Sequence, residues 1–273
     1  MRARERWTIG VLASAGVVAT SSVGARQFLQ RQAAIARGLI GDPLGHEAPE
    51  ADKTYRKSQP GRLDLLMLGD SIAAGLGAER AKDTLGARLA KGLGKATHTS
   101  VRLRTAARVG SESSVLAEQL DALPDGYRPD AAVIVVGGND VTHRVPVAES
   151  VRHLGEAVDR LHELGSRVVV GTCPDLGALR PVPQPLRSLG SRASRQLANA
   201  QGEVALERGA YVVSLAHVVG PFFITNPDEM FSLDRFHPSA AGYRRTAKAM
   251  LPSVLRALGH AEDLPFGHHA PAF

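Results

Sequence analysis

LDLLMLGDSIAAG, residues 63–75, is an apolar run of strand length that stops abruptly at Gly-Asp-Ser. The serine is followed by small residues that can begin a helix. This pattern predicts a buried parallel strand that brings Ser71 to the carboxyl edge of a sheet. Open α/β sheets bind their ligands at that edge. Ser71 is therefore the first candidate for a functional residue.

Four further apolar stretches predict strands, and helix-like segments separate them. Strands that alternate with helices indicate right-handed crossovers and a mainly parallel sheet covered by helices on both faces. The predicted fold class is α/β with a five-stranded sheet, and a last helix is predicted from His237 to Leu258 with Pro238 in its first turn. The strands are expected at Leu63–Leu68, near Val101–Leu103, and at Ala131–Val136, Arg167–Val170 and Ala210–Ser214.

Two later stretches offer partners for a reactive serine: VVGGND at residues 135–140 and DRFHP at residues 234–238. A serine hydroxyl needs a base to take its proton and a third group to orient that base, and His237 and Asp234 can supply both. The oxyanion that forms needs fixed N–H donors, for which Asn139, the backbone of Gly110 and that of Ser71 are candidates. Taken singly, Asp234 could be a helix cap and Asn139 a turn residue.

These residues, taken together and in this order, resemble the four-block pattern of the SGNH hydrolases, also called the GDSL esterase/lipase family. The resemblance implies a flavodoxin-like three-layer α/β/α sandwich and hydrolysis of carboxylic esters without a metal or cofactor. It implies that Ser71 is the nucleophile, that His237 and Asp234 complete a catalytic triad, and that Ser71, Gly110 and Asn139 form the oxyanion hole. The substrate would be a small-molecule, lipid or glycan ester.

The net charge of +6 raises the question of a nucleic-acid partner. Residues 1–40 hold six arginines and one glutamate, a net +5, so the other 233 residues carry only +1. The predicted folded domain therefore has no excess of positive charge with which to bind phosphates, and aromatic residues make up only 4% of the chain. We predict no nucleic-acid partner.

The N-terminal segment has a composition of its own. Residues 1–6 are cationic, and residues 7–25 contain no charged side chain. This pattern predicts a signal peptide or an uncleaved signal anchor at residues 1–25, and hence a protein that is secreted or tethered to the membrane. A helix and linker are expected at 26–61, the hydrolase domain at 62–259 and a tail at 260–273. Cys173, the single cysteine, is interpreted as a small buried hydrophobe.

Two other functional interpretations remain open at this point. An exported, membrane-tethered binding protein could keep the fold without turnover. An acyltransferase could use the same residues and pass the acyl group to an alcohol instead of to water. An α/β-hydrolase is disfavoured because Ser71 lies in Gly-Asp-Ser-Ile-Ala and not in Gly-x-Ser-x-Gly.

Overall fold

The computed structural model describes residues 24–41 and 44–272 of the chain. A single sheet holds seven strands in the order β1-β3-β2-β4-β5-β6-β7. The five strands from β3 to β6 are parallel, and among themselves they have the flavodoxin-like order 2-1-3-4-5. The predicted α/β fold class is therefore confirmed. The strands are β1 Thr54–Tyr55, β2 Arg62–Gly69, β3 Ser100–Thr105, β4 Ala131–Val135, β5 Arg167–Gly171, β6 Tyr211–Val213 and β7 His268–His269.

The two outer strands were not expected, so the sheet has seven strands where the sequence predicts five. Both are two residues long, and both pair antiparallel: β1 with β3, and β7 with β6. β1 lies in the predicted linker, where Tyr55 is buried and donates a hydrogen bond to the Ala51 carbonyl over 2.7 Å. β7 lies in the predicted tail. Parts of both segments therefore pack onto the predicted hydrolase domain.

Helices cover both faces of the sheet and make it the middle of three layers. The alternation along β2 shows why, since Leu65 and Met67 face one hydrophobic core, and Leu66 and Leu68 face a second core on the other side of the sheet. The helices are α1 (residues 24–40), α2 Ser71–Ala74, α3 Leu85–Thr97, α4 Leu116–Asp121, α5 Gly138–His143, α6 Val147–Glu163, α7 Leu186–Glu207, α8 Leu215–Val218, α9 Gly220–Thr225, α10 Pro227–Met230 and α11 Ala240–Ala257.

The last helix begins three residues later than the sequence predicts. Ser239 is its N-cap, and the Ser239 hydroxyl accepts hydrogen bonds from the backbone N–H groups of Ala241 and Gly242. Pro238 consequently lies before the cap, where it forms an antiparallel bridge with Phe231. His237 is thereby placed in the loop before α11 and not in its first turn.

α1 packs against the proline-rich loop that precedes α7. Gln32 is buried, donates a hydrogen bond to the Gln184 carbonyl and accepts one from the Leu186 backbone over 3.1 Å. The predicted export segment lies, except for its last two residues, outside the residues that the structure describes. No helix within residues 24–41 and 44–272 is long and apolar enough to cross a bilayer.

Candidate active site

Ser71 is the first residue of α2, directly after the end of β2. Asp70 is the N-cap of this short helix, and its carboxylate accepts a hydrogen bond from the Ile72 backbone over 2.9 Å. Gly69 has a φ of +127°, and a Cβ atom there would lie 1.9 Å from the Val135 carbonyl oxygen. A glycine is required at this position because β2 passes so close to β4. This turn brings Ser71 to the carboxyl edge of the sheet.

The loop between α10 and α11 brings His237 to Ser71. The distance from His237 Nε2 to Ser71 Oγ is 2.9 Å, and the distance from His237 Nδ1 to Asp234 Oδ2 is 2.5 Å. The bridge between Phe231 and Pro238 closes this loop, so that Asp234 and His237 lie on one side of a tight turn. A proton on Nδ1 leaves Nε2 free to accept the hydroxyl hydrogen of Ser71. The three residues are 166 positions apart at their extremes and still form one continuous hydrogen-bonded chain.

Asp234 is held as a carboxylate. Its burial raises its pKa, but hydrogen bonds from the His237 imidazole and from the backbone N–H groups of Phe236 and His237 outweigh burial and lower the pKa to about 2. The Ser232 hydroxyl donates a further hydrogen bond to Oδ1 over 2.8 Å. Asp234 therefore stays negatively charged and keeps the Nδ1 proton of His237 in place.

In Asp70, unlike Asp234, the effect of burial on the pKa outweighs that of the hydrogen bonds. It is fully buried, and burial raises its pKa to about 6, although the Ile72 N–H, the nearby His237 and the Gly138 N–H all lower it. Burial also raises the pKa of the Cys173 thiol, and the carboxylate of Asp70 adds to that shift. Asp70 thus ties the turn after β2 together, and the Cys173 thiol is kept protonated.

Asn139 lies at the same edge of the sheet as Ser71. β2 and β4 are neighbours, paired from Leu65 with Ala131 to Gly69 with Val135, and Asn139 follows β4 in the first turn of α5. Its side-chain Nδ2 donates one hydrogen bond to the Ser111 carbonyl over 2.9 Å. An amide NH₂ has two hydrogens, so a second donor remains on Asn139.

Gly110, the remaining predicted site residue, lies in a turn after β3. It has a φ of +82° in an exposed turn, and a Cβ atom there would meet nothing within 4 Å. It is not among the residues that line the space around Ser71. The structure therefore brings Ser71, Asn139, Asp234 and His237 to one place.

A small cavity, which we call the hollow, opens beside Ser71 and His237. Its volume is about 70 Å³, and its walls are mostly apolar. Asn139 reaches the hollow from α5, and Phe223 and Phe231 stack edge to face in its wall with their ring centroids 4.9 Å apart. The hollow is shaped to hold a small apolar group next to a hydroxyl, an imidazole and an amide.

Two buried glutamines that the sequence analysis missed fix the strand ends around the site. The Gln119 side chain accepts a hydrogen bond from the Gly69 N–H over 2.9 Å and donates one to the Gly69 carbonyl over 2.8 Å. The Gln201 side chain accepts from the Cys173 N–H over 2.7 Å and donates to the Val136 carbonyl over 3.0 Å. Each glutamine satisfies backbone groups where a parallel strand ends, so each holds a turn of the candidate site in place.

Gly77 is a third residue that sequence reasoning missed. A Cβ atom at this position would lie 2.5 Å from the Pro238 carbonyl and 3.0 Å from the His237 Cβ. The His237 loop can approach only because no side chain is present here. The closely spaced Gly75 and Gly77 after Ser71 are the sequence signal that could have revealed this contact. Within the part of the chain that the structure describes, no three His, Cys, Asp or Glu side chains form a metal-binding group.

The family model of the GDSL-like Lipase/Acylhydrolase family matches residues 67–245 of this sequence. The chain belongs to this family. It is 39% identical over 277 residues to the GDSL-like esterase Rv1075c of Mycobacterium tuberculosis, and the match covers 97% of this chain and 86% of that protein. This GDSL-family protein is accordingly a carboxylic ester hydrolase.

Solved structures support the fold. The esterase EstA from Pseudoalteromonas sp. is 20% identical, with a TM-score of 0.55 over 72% of this chain and 98% of that chain. A catalytic mutant of the acetylxylan esterase Axe2 from Geobacillus stearothermophilus is also 20% identical, with a TM-score of 0.55 over 74% and 96% of the two chains. At these identities the likeness shows a shared three-layer architecture.

Proposed function

We propose that this GDSL-family protein hydrolyses esters through a Ser71–His237–Asp234 triad. The observation that carries the proposal is the continuous chain from Ser71 Oγ to His237 Nε2, over 2.9 Å, and from His237 Nδ1 to Asp234 Oδ2, over 2.5 Å. Both distances are those of hydrogen bonds that can transfer and orient a proton. The depressed pKa of Asp234 supports its role as a permanently charged orienting group.

The reaction follows from this geometry. Ser71 Oγ attacks the ester carbonyl carbon while His237 Nε2 takes the hydroxyl proton, which gives a tetrahedral oxyanion and an imidazolium paired with Asp234. The imidazolium then protonates the departing alcohol, and an acyl-enzyme on Ser71 remains. A water molecule gives a proton to His237 Nε2 and attacks this acyl group, which gives a second tetrahedral intermediate. As that intermediate collapses, the bond to Ser71 Oγ breaks, the His237 imidazolium returns its proton to Oγ, and the carboxylic acid is released.

The oxyanion requires donors that are in position before the reaction. We propose the backbone N–H of Ser71 and the second Nδ2 hydrogen of Asn139, which lines the hollow. The backbone N–H of Gly110 is proposed as the third donor, on the family pattern. The mostly apolar hollow of about 70 Å³ would hold the acyl group, which favours short acyl chains.

Replacement of the nucleophile and of the base tests the proposal. Ser71→Ala and His237→Ala are each expected to remove nearly all turnover of 4-nitrophenyl acetate and butyrate, because without either residue no acyl-enzyme can form efficiently. Far-UV circular dichroism and melting temperature should show that both variants stay folded. Full activity in either folded variant would overturn the triad, and absence of Ser71-dependent turnover in the wild type would favour a binding protein.

We further propose that residues 1–25 direct export and that the enzyme works outside the cytoplasm, secreted or tethered. The support is the cationic start and the uncharged run of residues 7–25. Fusion of residues 1–25 to a reporter enzyme that is active only after export should give an active reporter in a bacterial host. An inactive fusion, next to an active control with an established signal, would contradict export.

A further inference from the structure

A second, much larger cavity lies beside the hollow, and we call it the groove. Its volume is about 620 Å³. Three segments that are distant in sequence form it: α1, the proline-rich residues 180–183, and residues 227–235 between α9 and the triad histidine. The volume is in the range of sites that bind small organic molecules.

The groove and the hollow share their dividing wall. Phe231 lines both, and at two other places neighbouring residues divide between them: Leu179 lines the hollow and Arg180 the groove, while Phe236 lines the hollow and Arg235 the groove. An ester bound with its carbonyl at Ser71 therefore has the small hollow on one side and the groove beyond Phe231. Since the hollow suits the acyl group, the groove is placed for the alcohol portion.

The lining of the groove combines apolar surface with positive charge. Ile35 and Leu39 of α1 are 55% and 56% exposed, and Leu233 across the groove is 81% exposed. Two arginines and one aspartate are its charged members. Such a lining suits a ligand that has an apolar stretch and an anionic group.

Both arginines are available to a ligand. Arg180 donates one hydrogen bond through Nη2 to the Ile224 carbonyl over 3.1 Å, which steadies the guanidinium and leaves other N–H groups unused. Neither Arg180 nor Arg235 forms an ion pair with any residue in the described ranges. Arg235 has a φ of +55°, a conformation that costs energy for a residue other than glycine or asparagine.

We propose that the groove binds the alcohol portion of the ester and that this alcohol carries a carboxylate or phosphate recognised by Arg180 and Arg235. The inference rests on the proposed function, because it requires an ester carbonyl at Ser71. Ile35, Leu39 and Leu233 contact the apolar part of the alcohol, and the guanidinium groups bind its oxyanion. Arginine suits this role because its planar N–H groups match the geometry of carboxylates and phosphates.

Matched esters test the proposal. The acetyl esters of 6-hydroxyhexanoate and 10-hydroxydecanoate are compared with the acetyl esters of the corresponding amides, using release of acid as the readout. Each pair has the same acyl group and the same reacting bond, and differs only in a remote charge. In at least one pair, we expect kcat/KM to be about tenfold higher for the carboxylate ester than for the amide ester. This is the effect expected of one charge-assisted hydrogen bond. Added salt should reduce this ratio.

Two substitutions locate the effect. Arg180→Gln and Arg235→Asn should each lower the carboxylate-to-amide ratio, and the double variant should bring it to about one. Asparagine is used at position 235 because it tolerates a positive φ. Arg192→Gln, which alters an exposed arginine on α7 outside the groove, is the control and should leave the ratio unchanged.

The possible outcomes distinguish failure of the groove proposal from failure of the proposed triad. Two results would overturn the groove assignment alone. One is a carboxylate-to-amide ratio near one in the wild type, with all the esters hydrolysed in a Ser71-dependent manner. The other is a raised ratio that persists in the folded double variant. Absence of Ser71-dependent hydrolysis of both the carboxylates and the amides would overturn the proposed function instead. Melting temperatures of all variants establish that they are folded.

Discussion

Asn139 has to serve two partners with one amide group. One hydrogen of Nδ2 is donated to the Ser111 carbonyl, and the other is proposed to meet the oxyanion. The first bond fixes the direction of the second, so the donor is in position before the ester arrives. Such preorganisation is what makes an oxyanion donor effective.

Asn139→Ala is therefore expected to lower kcat by about 10²–10³, with a much smaller change in KM, because the lost bond forms fully only in the transition state. Steady-state kinetics with 4-nitrophenyl acetate measure this. Asn226→Ala removes an exposed asparagine whose amide reaches only Thr225, and it should have no effect on kcat. A kcat within twofold of the wild type in Asn139→Ala would exclude Asn139 from the oxyanion hole.

Protonation of the base should set the pH dependence of activity. His237 must be neutral to accept the Ser71 proton, so kcat/KM is expected to fall in acid with the titration of a single group. Asp234, with its pKa lowered to about 2, stays ionised throughout. The pKa of Asp70 is raised to about 6, so the titration of Asp70 has to be distinguished from that of His237.

Asp70→Asn separates the two groups because asparagine is also a good N-cap. The variant should keep an acid limb of unit slope in its pH–rate profile. A wild-type profile that is flat through pH 5 would contradict a histidine base. If the wild type shows the acid limb and the Asp70→Asn variant does not, the limb reports the titration of Asp70 and not that of His237.

The residues of the site differ in how far the sequence could reveal them. Ser71 and Asn139 each follow an apolar run, which places them at the sheet edge, and Asp234 and His237 are recognisable by their spacing. Gln119 and Gln201 could not be found, since a polar residue in a helical pattern is normally assigned to the solvent side. Their burial depends on where each helix packs, which no local pattern encodes.

At the scale of elements, the close approach of β2 and β4 controls where Ser71 lies. Gly69→Ala is expected to be severely destabilising, by more than about 3 kcal/mol, since a Cβ atom would lie 1.9 Å from the Val135 carbonyl oxygen. Gly165→Ala is the matched control, because Gly165 also has a positive φ, of +80°, but has nothing within 4 Å of its Cβ position.

The control should cost only about 1–2 kcal/mol, the conformational penalty alone. Urea unfolding followed by circular dichroism measures both free energies of unfolding. Equal losses in the two variants would mean that the contact with β4 relaxes freely and does not fix the position of Ser71.

The elements that the sequence predicted are mostly those with a long apolar signal. All five parallel strands were predicted. β2, β4 and β5 contain continuous apolar runs, as expected for strands buried on both faces, whereas the apolar residues of β3 are only Val101 and Leu103 around an arginine, and β6 has only three residues. β1 and β7 have two residues each and no periodicity, so they become strands only through pairing with β3 and β6. The start of α11 was misplaced because Pro238 suits a first turn, whereas the Ser239 cap determines the boundary.

At the scale of the whole molecule, we propose that the folded unit begins before the predicted residue 62. Tyr55 is 4% exposed, and the Lys53 carbonyl accepts a hydrogen bond from the Leu103 N–H over 3.0 Å. Ala51 and Tyr55 thus belong to the core. Gln32 of α1, by contrast, joins its helix to the rest of the protein through hydrogen bonds with Gln184 and Leu186.

Two truncations test this boundary. A chain of residues 44–273 should melt close to the full-length protein, whereas a chain of residues 62–273 should melt about 10 °C lower or fail to fold, because it loses β1 and the buried Tyr55. Differential scanning calorimetry compares them. Equal melting temperatures would show that residues 44–61 are a linker, as the sequence suggested.

The groove is the feature that was least predictable from the sequence. Its walls come from residues 35–39, 180–183 and 227–235, and each segment taken alone resembles an ordinary surface helix or loop. Their meeting depends on contacts such as those of Gln32 with residues 184 and 186. Tertiary packing, and not local propensity, creates this surface.

The inaccessibility of the sole thiol has a practical benefit. Cys173 is 0% exposed and burial raises its pKa, so we expect maleimide reagents not to react with it in the native enzyme. A cysteine introduced by Leu233→Cys, at a position that is 81% exposed, would then be the sole labelling site without any prior removal of the natural one. A fluorophore attached there could report in real time when a ligand enters beside the arginines.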